Sequence, residues 1–145
     1  MKRHPSLIPL SREHHGALIL SRLLQKDAPP YKGLPADPAG KAAYALSFYQ
    51  DELLPHFAEE ERIIPIINGI DAELDRHMET MVTEHAEIKK LFSAIPNSQN
   101  LPDLLDLTGK TMEAHIRKEE RVIFPLIQEK CSEELLGKMF GEATD

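Results

Sequence analysis

The sequence predicts an all-α fold: an up-down antiparallel four-helix bundle with a short extra C-terminal helix. Three observations carry this expectation. Four segments repeat apolar residues at helical spacing, and stretches rich in proline, glycine or polar residues separate them. No stretch alternates with period two or carries a hairpin turn signal. The connections are mostly short, which sets consecutive helices side by side and antiparallel.

The first helix is expected from Ser11, a plausible N-cap, through "REHHGALILSRLLQK". The stretch "DAPPYKGLPADPAG" (27–40), with its prolines and glycines, cannot continue it. A second helix is expected from about Ala39 to Ile67, apolar at Ala43, Leu46, Leu53, Phe57, Ile63, Ile64 and Ile67. Pro55 interrupts it, so a kink or a restart is expected there. "NGID" then supplies a terminating glycine and an N-cap, Asp71. The third helix runs from about Ala72 to Ile95 and breaks at "PNSQNLPD" (96–103); the fourth runs from about Asp103 to Lys130. A fifth piece, "SEELLGKMFG", offers Leu135, Leu136, Met139 and Phe140 to the end of the bundle.

Length and charge bound the function. A chain of 145 residues fits one domain (1–145, core about 11–130), with enough length to bury a core. No apolar run reaches the length of a membrane span, and the first residues lack the apolar stretch and cleavage site of a secretory signal. A single cysteine, Cys131, excludes an internal disulfide framework and suits a reducing compartment, so the expected location is cytoplasmic. A formal charge of −7 argues against a nucleic-acid partner, which would require a basic footprint. What remains unusual is seven histidines, most of them beside glutamates.

"HFAEEERII" (56–64) and "HIRKEERVI" (115–123) repeat the same register. On a helix the residue four positions on lies about 40° from the histidine, and the residue five positions on about 140° away. Glu60 therefore shares a face with His56, and Glu119 with His115, while Glu61 and Glu120 point elsewhere. Tyr49, Leu53 and Ile63 flank the first pair on that face; Leu105, Thr108, Met112 and Val122 flank the second. These are mainly core residues, so both pairs should face inward. Buried carboxylates and imidazoles are costly without a counter-charge, and a pair of metal ions would satisfy all four groups. His14 in "REHHGAL" and His85 in "TEHAEI" occupy matching places on the other two helices. His14 is preferred to its neighbour His15 because Glu13-His14 matches Glu84-His85. Such nitrogen and oxygen donors, with no thiolate, suit iron, manganese or zinc.

With these residues in order the chain resembles the hemerythrin-like (HHE cation-binding) domains, from about Ser11 to Ile127. The resemblance implies two non-haem iron ions, with Glu60 and Glu119 bridging and His14, His56, His85 and His115 as terminal ligands. It further implies binding of O2 or a related small molecule, for sensing, iron handling or redox protection. Position 89, where oxygen-carrying members have a second histidine four residues after that of the third helix, is lysine here. This departure keeps two other readings open: a di-iron oxidoreductase acting on ferrous iron, peroxide or nitric oxide, and a metal-free bundle that docks a partner. Among the other candidates, Glu52 could accept a hydrogen bond from a ligand imidazole. Glu59 could add a ligand, although its counterpart is Lys118. Tyr49 reads as core filler, His77 as a surface residue, and His4 as an idle residue in a mobile terminus. Cys131 lies too far along the chain to ligate.

Overall fold

The computed structural model describes residues 2–141, with side chains as far as Met139. Among the described residues there are helices and no strands. Four helical rods form the body. The first is α1 (Ile8–Leu23). The second joins α2 (Pro38–Phe48), a π-helical turn (Tyr49–Leu53), α3 (Leu54–Arg62) and α4 (Ile64–Ile67). The third is α5 (Ala72–Ala94), and the fourth joins α6 (Leu101–Lys118), a π-helical turn (Glu119–Ile123) and α7 (Phe124–Lys130). A short helix, α8 (Glu133–Gly141), follows. None of these helices is long and apolar enough to cross a membrane.

Local chemistry sets the ends. The Asp71 carboxylate accepts the backbone N–H of Leu74 at 3.0 Å and starts α5 at the expected place. Asp37 likewise accepts from Gly40 and starts α2 ahead of Pro38. Asn100 caps α6, which begins at Leu101, two residues before the expected start. Gly69, with φ of +88°, makes the turn between α4 and α5 that other residues adopt only under strain. Ser11 does not cap α1. The helix begins at Ile8 after an uncapped Leu7, and the Ser11 hydroxyl donates to Glu120 instead.

Pro55 and Pro125 account for the two π turns. Neither proline has an N–H to give, and each ring crowds the carbonyl four residues back. The helix widens just ahead of both: Leu54 N–H bonds to Tyr49 O and Phe124 N–H to Glu119 O, each five residues back. The α-helix restarts with each proline at its second position. A wider turn also retards the rotation of the side chains. Val122, expected inside, is therefore 42 % exposed, and Ile123 is fully buried beneath Glu119 in its place. Ala43, one of the apolar positions of the expected second helix, is exposed, and Ala42 and Ala45 are buried.

Two apolar clusters make the core. One contains Leu10, Ile63, Met81 and Ile123, with Leu136 and Met139 of α8 added; the side chain of Phe140 lies outside the described residues. The other contains Ala17, Leu53, Ile88 and Met112. Between them lies a polar layer contributed by all four rods. The order of crossing alternates: α1 and α5 pass from the first cluster to the second, and the other two rods pass back.

α1 and α6 approach closely at Gly109. A Cβ on Gly109 would sit 2.4 Å from the backbone oxygen of Ser21 and 3.1 Å from the Leu24 Cβ. Gly109→Ala should gain ~1 kcal/mol in helix propensity and lose more through overpacking, for a net loss of about 1–2 kcal/mol. Thermal or urea unfolding checks this, and an unchanged stability would contradict the close approach.

Candidate metal centre

The polar layer consists of His14 from α1, His56 and Glu60 one turn apart on α3, His85 from α5, and His115 of α6 with Glu119 of the adjoining π turn. All six are buried; the least covered, His56, is 4 % exposed. The structure thus brings together the six residues singled out from the sequence, His14 rather than the exposed His15 among them.

Their geometry is shared between two groups. Glu60 Oε2 lies 3.2 Å from His14 Nε2 and 3.1 Å from His56 Nε2, while its Oε1 lies 3.0 Å from His85 Nε2. Glu119 Oε1 lies 3.1 Å from His14 Nε2 and 3.0 Å from His115 Nε2. Donor atoms of His14, His56, Glu60 and Glu119 fall within 4.8 Å of one another, and so do those of Glu60, His85, His115 and Glu119. Both carboxylates belong to both groups.

Each imidazole already spends its Nδ1 on a second carboxylate. His14 Nδ1 contacts Glu120 Oε2 at 2.7 Å, and His56 Nδ1 contacts Glu13 Oε1 at 2.8 Å. His85 Nδ1 contacts Glu61 Oε2 and His115 Nδ1 contacts Glu84 Oε1, both at 2.7 Å. The pattern is cyclic: each rod sends a histidine to the centre and a glutamate to the histidine of the next rod. A neutral imidazole donating from Nδ1 presents a lone pair at Nε2, which then faces carboxylate oxygens that are also acceptors. The nitrogens His56 Nε2, His85 Nε2 and His115 Nε2, and the oxygens Glu60 Oε1 and Glu119 Oε1 and Oε2, are buried without a hydrogen-bond partner. Only protons or cations can reconcile such a layer, and the all-nitrogen-and-oxygen donor set fits a borderline or hard metal ion. Cys131 is buried in the first apolar cluster, outside both groups.

Without a metal, protons take that role. Burial alone would lower the His14 pKa, but the adjacent carboxylates of Glu119, Glu120 and Glu60 outweigh it and push the group up to about 11. The same opposition, with Glu119 and Glu84, raises His115 to about 9. Burial would likewise raise the Glu60 pKa, yet its three imidazole partners hold it well below the usual carboxylate range. A histidine raised on folding contributes stability fully below its ordinary value of 6.5 and loses it as pH climbs through the folded value. The thermal midpoint of metal-free protein should therefore fall as pH rises from neutrality through about 9 and towards 11. Metal-loaded protein, its imidazoles already deprotonated by coordination, should show little of that fall. Parallel melts with and without metal check this, and identical pH profiles would contradict it.

Other sequence expectations fare differently. Glu52 is exposed, and Glu13 from α1 supplies the acceptor for His56. Glu59 pairs with Arg62 and lies outside both groups. Tyr49 stacks on Phe92, with ring centroids 4.5 Å apart. His77 is half-buried and apart from the centre. His4 is not idle: its ring contacts Ser6 Oγ at 2.8 Å and Glu133 of α8 at 2.6 Å, which anchors the segment ahead of α1. Sequence reading missed the four supporting glutamates, although the repeated pairs "EH" and "EE" mark each one.

Fold and site together define a helical cation-binding protein with two neighbouring histidine–carboxylate clusters buried in its core. Residues 9–127 match the hemerythrin HHE cation binding domain, which spans most of the chain, and the protein belongs to that family. No curated relative and no solved structure gives a significant match.

Proposed function

We propose that this chain is a non-haem di-iron protein of hemerythrin type, a single domain built as an up-down antiparallel four-helix bundle. The alternating passage of the rods between the two apolar clusters supports that topology. Glu60 and Glu119 would be shared by the two ions; His14 and His56 would complete one position, and His85 and His115 the other. The observation that carries this reading is the membership of both carboxylates in both buried clusters. Manganese or zinc would fit the same donors. Iron pairs, when bound, supply reversible electron transfer to O2 or a related small molecule.

The chain's own residues prepare the centre for such a ligand. The four supporting glutamates fix the imidazoles and keep Nε2 free for coordination. A cavity of about 10 Å³ borders the layer, walled by Ala17, Leu53, Phe57, Ile88, Met112 and Ile116. That is about one water's worth of room, closed by apolar side chains on one side and by His14, His56, His115 and Glu119 on the other, which favours a very small ligand over an organic substrate. A cytoplasmic setting accords with the single free thiol of Cys131, and the charge of −7 accords with no nucleic-acid partner.

One observation favours a second reading. Position 89 is a half-buried lysine and not a further histidine, so each position would have two imidazoles and would keep open coordination sites. That arrangement suits a di-iron oxidoreductase that oxidises ferrous iron or reduces peroxide or nitric oxide. Reduced, iron-loaded protein exposed to O2 separates the two. A stable optical change that reverses under vacuum is the result expected for ligand binding. Sustained consumption of added peroxide would replace that reading with the enzymatic one.

A further inference from the structure

Among the four glutamates that hold the imidazoles, Glu120 is itself held from outside the rods. Its Oε2 accepts from His14 Nδ1 at 2.7 Å and from Ser11 Oγ at 2.9 Å. Its Oε1 faces Arg3 Nη2 at 3.2 Å, and the same Arg3 nitrogen donates to the Glu120 backbone oxygen at 2.8 Å. The Arg3 guanidinium also lies over the Phe124 ring, 5.5 Å from its centroid, and His14 stacks on that ring at 5.4 Å. Arg3 thus touches both groups that orient His14: the carboxylate on Nδ1 and the ring on its face.

The segment carrying Arg3 is fastened on either side of it. Gln128 donates to Lys2 O at 2.9 Å and accepts from His4 N–H at 3.0 Å, and His4 contacts Glu133. The other half of the centre is braced locally. Glu84, which holds His115, pairs with Lys118 at 2.5 Å, one turn after His115 on the same rod. Among the described residues no lysine or arginine pairs with Glu13 or Glu61.

We infer that Arg3 is a positioning residue for His14, and that residues 2–6 form a tether whose docking sets how firmly the His14/His56 position keeps its ion. The inference rests on the two-ion reading above. The electrostatic reason is that a cation on the far oxygen pins the Glu120 carboxylate in the one orientation that serves His14. Losing such a support loosens a metal site by about 10–100-fold. The effect is confined to one ion, because the Arg3 contacts reach no support of His85 or His115.

Protein loaded anaerobically with two equivalents of ferrous iron is challenged with a ferrous-specific chelator, and release is followed optically. Arg3→Ala should release one equivalent about tenfold faster than wild type and the other at the wild-type rate, with Arg3→Lys in between. In a Glu120→Gln background, adding Arg3→Ala should change the release rate far less than it does in wild type, because most of its effect passes through that carboxylate. A role in general stability alone would speed both ions and would persist undiminished in that background. Either of those results, or an unchanged rate, overturns the inference while leaving the two-ion centre standing. Wild-type protein that takes up no iron overturns the centre itself and this inference with it.

Discussion

Glu60→Ala and Glu119→Ala should each abolish binding of both metal ions, not of one. Glu60 makes contact with three of the four imidazoles, through Oε2 to His14 and His56 and through Oε1 to His85. Glu119 serves His14 and His115 through Oε1, and neither of its oxygens has a hydrogen-bond partner. Removing either carboxylate takes a negative charge from both clusters at once and leaves two imidazoles and one shared carboxylate around each position. By contrast, loss of a single histidine removes a donor from one cluster only. His85→Ala should therefore retain about one ion where Glu60→Ala retains none. Elemental analysis of the purified variants checks the contrast, and two ions retained in either glutamate variant would contradict the bridging assignment.

Metal loading should raise the thermal midpoint by about 10–20 °C. A ligand at a hundredfold its dissociation constant adds about 2.7 kcal/mol per site, provided the unfolded chain does not bind it. Two sites then add roughly 5 kcal/mol, and 1 kcal/mol moves the midpoint of a domain this size by about 2–4 °C. The specific reason to expect the full effect is the set of orphaned atoms on His56, His85, His115, Glu60 and Glu119, buried polar groups that only a bound cation or proton completes. Calorimetry of chelator-treated and reloaded protein gives the shift directly. A midpoint indifferent to metal would mean that the layer satisfies itself by protonation alone.

The repeated His-x-x-x-Glu register made four of the six central residues legible in the sequence, because one-turn spacing and burial of a common face are properties of a single helix; the matching Glu-His pairs pointed to His14 and His85. The start of α5 was legible for the same kind of reason, since Asp71 caps the helix within three residues of itself; Asp37 caps α2 by the same kind of bond, although the expected start was about Ala39. Effects that cross between helices were not. Glu61 and Glu120 do turn away from their own histidines, but toward the next rod rather than toward water. Nothing in the spacing along one helix reveals what stands opposite. The phase change that exchanges Val122 for Ile123 arises from a π turn that also depends on Pro125. Gly109 reads as a helix weakness until the backbone of Ser21 is seen beside it. Arg3 and His4 precede any periodic pattern, so their docking on Glu120, Gln128 and Glu133 left no mark in the sequence.

The central claim, that Glu60 and Glu119 join two cation positions into one buried centre, is tested most directly by the iron content of protein reconstituted anaerobically and freed of excess metal. Two iron ions per chain, with an absorption band in the near ultraviolet on aeration, is the predicted result. Iron at one per chain or less, with no such band, would contradict it.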